Sequence, residues 1–216
     1  MALIKTISEI PTITQLYQNM VLRETAYASS RSFLPSVSIN ARVSLARGDI
    51  TKFELDAVVN AANSALRGGG GVDGAIHRAA GPELLSECRS LGGCPTGDAV
   101  LTAGYQLPAK YVIHTVGPIY DEEHAQQSAK LLKSCYEKSL QVAVANGIKT
   151  MAFSCISTGV YGYPSKEAAE IACKTVRNFL ESNEDALERV VFVTFERKDM
   201  AAYTETLPMY FPPAEQ

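Results

Sequence analysis

Two apolar periodicities take turns along the chain. Ile13, Leu16, Tyr17, Met20 and Val21 recur at helical spacing and predict a helix over 12–28. A polar link over 29–36 follows, and then Val37, Ile39, Val43 and Leu45 alternate as in a half-buried strand over 37–45. Short apolar runs at 57–59, 99–105, 111–116, 150–156 and 189–195 read as further buried strands. Between them, helical patterns predict helices over 74–80, 82–91, 126–146, 165–180 and 199–206. The punctuation agrees: Pro82 suits a first helical turn, Ser165 a cap with Glu167 behind it, and Asn146-Gly147 a C-terminal stop. Apolar strands alternating with helices imply an α/β fold, three layers deep, with a mixed, largely parallel central sheet.

Composition adds limits. A chain of 216 residues with 46% hydrophobic and 20% charged positions fits one globular domain. The net charge of -3 argues against a nucleic-acid partner, whose phosphates call for a basic surface. No apolar run approaches the roughly 18 residues of a membrane span. Five cysteines, odd in number and without a CxxC pair, fit reduced thiols in an intracellular compartment, cytoplasm or nucleus. The three histidines do not pair with them at zinc-ligand spacing, so no metal is expected. Residues 1–47 hold Lys5, Arg23, Arg31, Arg42 and Arg47 against Glu9 and Glu24, which fits a helix packed on the domain and also a mitochondrial transit peptide.

Chemistry concentrates in two loops that follow predicted strands, where ligands bind in such sheets. One runs from Asn60 through four glycines, Gly68 to Gly71, to Asp73 and Gly74; the other runs from Ser157 through Gly159 to Tyr163. Glycine lets backbone N–H groups approach an anion, and a following helix start adds positive potential. Two such loops suit two phosphates, held by peptide dipoles because Arg67 is the one cation in either. Gly69, Gly71 and Gly74 also spell GxGxxG, but about ten residues separate them from their strand, and no second strand precedes Asp98, where the acid would fall, which disfavours an NAD-dependent oxidoreductase.

The blocks Gly48-Asp49-Ile50-Thr51, Asp56 to Asn63, the four glycines with Val72 to Pro82, Cys94 to Ala99, Tyr111 to Pro118 and Ser157 to Gly162 resemble, in order, the macrodomain family. Within it they resemble the MacroD-type ADP-ribosyl hydrolases. The resemblance covers about residues 43–200 and implies a macrodomain over 41–211, between an N-terminal helical extension, 1–40, and a tail, 212–216. It further implies a hydrolase, without cofactor, that removes mono-ADP-ribose from Asp and Glu side chains of proteins and also deacetylates O-acetyl-ADP-ribose. ADP-ribose and mono-ADP-ribosylated proteins would be its partners, and the chain is expected to act as a monomer.

By the same resemblance Asp49 accepts from the adenine amino group, with the Ile50 backbone beside the ring and Phe195 stacked on it. Asp49 could equally serve to turn the chain, and Phe195 to fill the core. Asn63 belongs to the distal ribose; Asn60 is grouped with the substrate-binding residues and would mainly buttress the loop. Gly70, Gly71, Val72, Ser157, Thr158, Gly159, Val160 and Tyr161 surround the diphosphate. Asp73, placed after the glycines, is the candidate base, with helix capping as its simpler job. His77, four residues on, shares its helix face and could orient it. His114 reads as core and His124 as solvated. The catalytic set is therefore Asp73, Asn63 and His77. A non-catalytic ADP-ribose reader is the competing class, and an RNA binder, whose affinity would fall steeply with salt, a weaker one.

Overall fold

The computed structural model describes residues 3–24 and 33–214. The chain opens with β1 (Lys5–Thr6) and α1 (Ile13–Gln18) and continues through α2 (Val37–Asn40), β2 (Val43–Arg47), β3 (Phe53–Glu54) and β4 (Ala57–Ala61). Then come α3 (Gly71–Ala80), α4 (Pro82–Ser90), β5 (Ala99–Ala103), β6 (Tyr111–Thr115) and α5 (Ala125–Ala145). β7 (Thr150–Phe153), α6 (Ser165–Ser182), β8 (Arg189–Thr194) and α7 (Arg197–Tyr210) complete it.

Six strands form the central sheet in the order β2-β8-β7-β4-β6-β5. All neighbours run parallel except β5, which lies antiparallel to β6 at the edge. The sheet is mixed and largely parallel, as expected. Side chains along each strand alternate between two cores. Val59, Ile113, Phe153, Val190 and Phe192 face one core with α5, α6 and α7; Val58, Val112, Ala152 and Val191 face the other with α3 and α4. That alternation makes three layers. β1 pairs with β3 outside the main sheet, and Ile13, Leu16 and Leu22 join the first core.

Several boundaries move. Residues 37–40 are a helical turn rather than strand, because the Ser36 hydroxyl accepts from the Ile39 N–H and caps it; the strand begins at Val43. The first helix stops at Gln18, with Met20 in the left-handed region; positions 25–28 of the expected helix, and 29–32 of the link, lie outside the described residues. Ser165 does not cap its helix: its hydroxyl donates to Asp199 Oδ1 at 2.7 Å, tying α6 to α7. Among the described residues, no helix is long and apolar enough to cross a membrane.

Candidate functional site

The cleft opens over the carboxyl ends of β4, β7 and β8. β8 ends at Thr194, so Phe195 stands past the strand rather than within the core and is 73% exposed. It borders a lobe of about 370 Å³ with Asp49, Ile50, Val72, Thr158 and Gly159. A second lobe of about 520 Å³ is lined by Asn63, Gly70, Asp73, Ser157, Val160 and Tyr161. Gly71, Val72, Cys155, Gly159 and Glu196 line both, so the two lobes form one trough.

At the Asp49 end, the Asp49 Oδ1 accepts from the Thr51 N–H and hydroxyl at 3.0 and 2.7 Å and caps a short 3-10 turn over Ile50–Lys52. Asp49 thus does turn the chain, and it also borders the trough. Along the middle, α3 begins at Gly71, three residues earlier than the apolar pattern places it. Gly70 is the cap position and Asp73 lies in the first turn, so capping is not Asp73's task. The first N–H groups of a helix have no partner within it and carry its positive potential. Those of Gly71 and Val72 therefore lie where both lobes meet. Across the trough, the 157–163 bend is closed by Tyr163 N–H to Ser157 O and Gly162 N–H to Gly159 O, both 3.0 Å. Lys198 Nζ reaches over from α7 and donates to the Thr158 carbonyl at 2.7 Å. Among the described residues, the buried hydroxyls of Ser154 and Ser157 have no hydrogen-bond partner.

Asp73 is 5% exposed. Its Oδ1 accepts from Asn60 Nδ2 at 2.8 Å and its Oδ2 from Asn63 Nδ2 at 3.2 Å. Burial raises its pKa, and the Asn60 hydrogen bond and His77 act the other way. His77 Nε2 comes to 3.5 Å from Asp73 Oδ1 without hydrogen-bond alignment. Its ring borders an outer hollow with Arg67, Gly68 and Pro82 rather than the trough. Asn63 lines the trough and also donates to the Gly68 carbonyl at 2.7 Å, fixing the glycine loop.

Asn60 supports Asp73 rather than facing a ligand. It is fully buried in β4 behind Asp73 and does not line the trough, because its side chain points into the core beside His114. The structure also brings together groups that sequence spacing keeps apart. His77, Cys88 and His114 place ligand-type atoms within 4.8 Å of one another. That set is poorly suited to a metal: His114 Nε2 already sits 2.9 Å from Thr102 Oγ1, and burial pushes the Cys88 thiol up to about 11. Lys198 and Glu196 line the trough and escaped the sequence reading, since each is a single ordinary residue far from either loop.

Comparison with known proteins gives one family. The Macro domain family model matches residues 59–172. Over 175 residues the chain is 55% identical to the ADP-ribose glycohydrolase MACROD2 of Xenopus laevis, covering 81% of this chain and 42% of that protein. Over 176 residues it is 54% identical to the ADP-ribose glycohydrolase MACROD1 of Bos taurus, covering 82% and 54%. It thus spans only 42–54% of the length of these two relatives. The Trypanosoma brucei macrodomain in complex with ADP-ribose superposes with a TM-score of 0.78 at 42% identity, over 93% of this chain and 75% of that one. The macro domain of ganglioside induced differentiation associated protein 2 gives 0.88 at 32% identity over both full chains. Sequence blocks, sheet order and trough converge, and the chain belongs to the macrodomain family.

Proposed function

We propose that the trough binds ADP-ribose and that the protein hydrolyses the ester joining mono-ADP-ribose to Asp and Glu side chains of other proteins. The observation that carries this reading is a buried carboxylate, Asp73, held by two amide donors where a helix start and a glycine bend face each other. Adenine enters the Asp49 lobe, with Phe195 against its face; such a ring contact contributes about 1 kcal/mol beyond burial. The diphosphate lies between the start of α3 and the 157–163 bend, accepting from peptide N–H groups and from the Ser154 and Ser157 hydroxyls. The distal ribose then reaches Asn63 and Asp73.

With the ester so placed, a water beside the anomeric carbon is held by Asp73. Water attacks that carbon, the bond to the acyl oxygen breaks, the carboxylate leaves and Asp73 takes the proton. Burial suits the acid to this work, because a raised pKa makes the carboxylate a stronger base. The leaving carboxylate is already a good leaving group, so neither a metal nor a covalent nucleophile is required. O-acetyl-ADP-ribose presents the same ester and is accepted as well. The similarity to proteins named ADP-ribose glycohydrolases supports the same reading.

The test is calorimetric titration with ADP-ribose, then release of ADP-ribose from a glutamate-modified protein. Asp73→Asn should bind ADP-ribose nearly as wild type and lose about 10²–10⁴-fold in turnover. Full turnover by that variant would exclude Asp73 as base; binding without turnover in the wild type would leave a reader module.

A further inference from the structure

Behind the Asp73 carboxylate lies a chain of polar groups inside an otherwise apolar core. The β4–β6 register sets Asn60 directly opposite His114. Asn60 Nδ2 lies 2.8 Å from Asp73 Oδ1 and 3.1 Å from His114 Nδ1. His114 Nε2 lies 2.9 Å from Thr102 Oγ1, and that hydroxyl is 3.2 Å from the Ala103 carbonyl. Asn60, His114 and Thr102 are all essentially buried.

Donor and acceptor identities fix every proton in this chain. An ionised Asp73 only accepts, so the Asn60 amide must turn its NH₂ toward it. The second hydrogen of that NH₂ then points at His114 Nδ1, which must offer a lone pair. A neutral imidazole without a proton on Nδ1 carries it on Nε2, where it donates to Thr102 Oγ1; that hydroxyl in turn donates to the Ala103 carbonyl. The groups around the ring do not disturb this state. Cys88 Sγ from α4 is 3.8 Å from Nε2 and its burial keeps the thiol protonated. The His77 ring from α3 lies with its centroid 6.1 Å away. Burial holds the His114 pKa down, to about 3, with His77 adding to the effect.

We infer that His114 is a positioning residue for the reaction: as the Nε2–H imidazole anchored on Thr102, it accepts the second hydrogen of the Asn60 amide, locks that amide in the orientation Asp73 requires and so holds the Asp73 carboxylate toward the trough. The inference rests on Asp73 being the base. Without an acceptor at the Nδ1 position the Asn60 amide keeps Asp73 as its one partner, and its second hydrogen is left buried and unsatisfied. The amide would then shift away from the ring, and the Asp73 carboxylate would move with it.

The state of the ring is read directly from long-range ¹H–¹⁵N spectra of protein labelled at histidine, with the His114 signals assigned in the wild type by their nuclear Overhauser contacts with Thr102 and Cys88. At neutral pH they should show an unprotonated Nδ1 and a protonated Nε2; an Nδ1–H tautomer or an imidazolium would overturn the inference even if every variant misfolded. Kinetics give the second arm. His114→Phe fills the space without an acceptor and should lower kcat about 10- to 100-fold, as loss of an outer-shell partner commonly does, while calorimetric ADP-ribose affinity holds. His114→Asn places Oδ1 where Nδ1 was and should recover most of that rate. His114→Gln reaches Thr102 instead and should not, although a purely structural role would favour it at least equally. If Asp73→Asn is inactive and His114→Phe turns over as wild type, this inference fails alone. If Asp73→Asn remains active, the base assignment fails first.

Discussion

At the scale of single residues, the trough depends on two glycines that stand outside the tetraglycine run. A Cβ on Gly74 would lie 2.1 Å from the Gly69 carbonyl oxygen, and one on Gly117 would lie 2.1 Å from Ser157 Oγ. Neither glycine sits at a positive φ; the need is for space, not for conformational freedom. The Gly74 contact is with backbone, so Gly74→Ala should push the 68–71 segment off α3. Overpacking of this kind costs about 1–3 kcal/mol, and the variant should melt lower and bind ADP-ribose more weakly. Gly70→Ala, whose Cβ meets nothing within 4 Å, should melt as wild type; equal melting of both variants would refute the steric account. Asp73 and Asn63 were legible in sequence because they flank an unusual composition. The partners of Asp73 in the core were not, since nothing local ties Asn60 to His114 or Thr102. One signal existed: His114 is a histidine set in the middle of an apolar strand run, Tyr111 to Val116, where burial demands a partner.

At the scale of elements, the pattern of apolar positions found the long helices and buried strands and misjudged their ends. The start of α3 escaped because glycine is a poor helix former and carries no side chain for a periodicity to register. The turn at 37–40 escaped because Val37 and Ile39 alternate as a strand would, while Ser36 supplies the cap that decides the matter. The N-terminal segment is where element-scale packing makes a strong demand. Thr12 caps α1 with Gln15 in a reciprocal pair, and Tyr17 donates to the Phe211 carbonyl at 2.9 Å. Ile13 is fully buried beneath that cap. Ile13→Ala should therefore destabilise the domain by about 2–5 kcal/mol, the usual cost of emptying such a site. Chemical denaturation would measure it, and a loss below about 0.5 kcal/mol, the range of a surface change, would show that the segment merely rests on the domain.

At the scale of the whole molecule, the fold class followed from the alternation of strands and helices, and the two cores follow from the alternation within each strand. Strand order did not, because parallel neighbours such as β4 and β7 are joined through distant crossovers that leave no local mark. The same central placement makes His114 a sensor of global stability. Its pKa is about 3 in the fold against an ordinary 6.5, the depression being caused first by burial. Between those values the unfolded chain binds a proton that the folded one refuses, so lowering the pH favours unfolding. The stability it contributes is complete above 6.5 and is lost progressively as the pH falls toward 3, by up to about 1.4 kcal/mol per pH unit. Asp73 works in the opposite sense: burial raises its pKa, so the fold gains stability as acid neutralises it. Subtracting the unfolding free energies of His114→Asn from those of the wild type cancels the Asp73 contribution and leaves that of the imidazole. The difference should be constant above 6.5 and should swing steadily against the wild type below it. Parallel curves across that range would mean that the ring takes up its proton inside the folded core, and the neutral imidazole could not then be what orients Asn60.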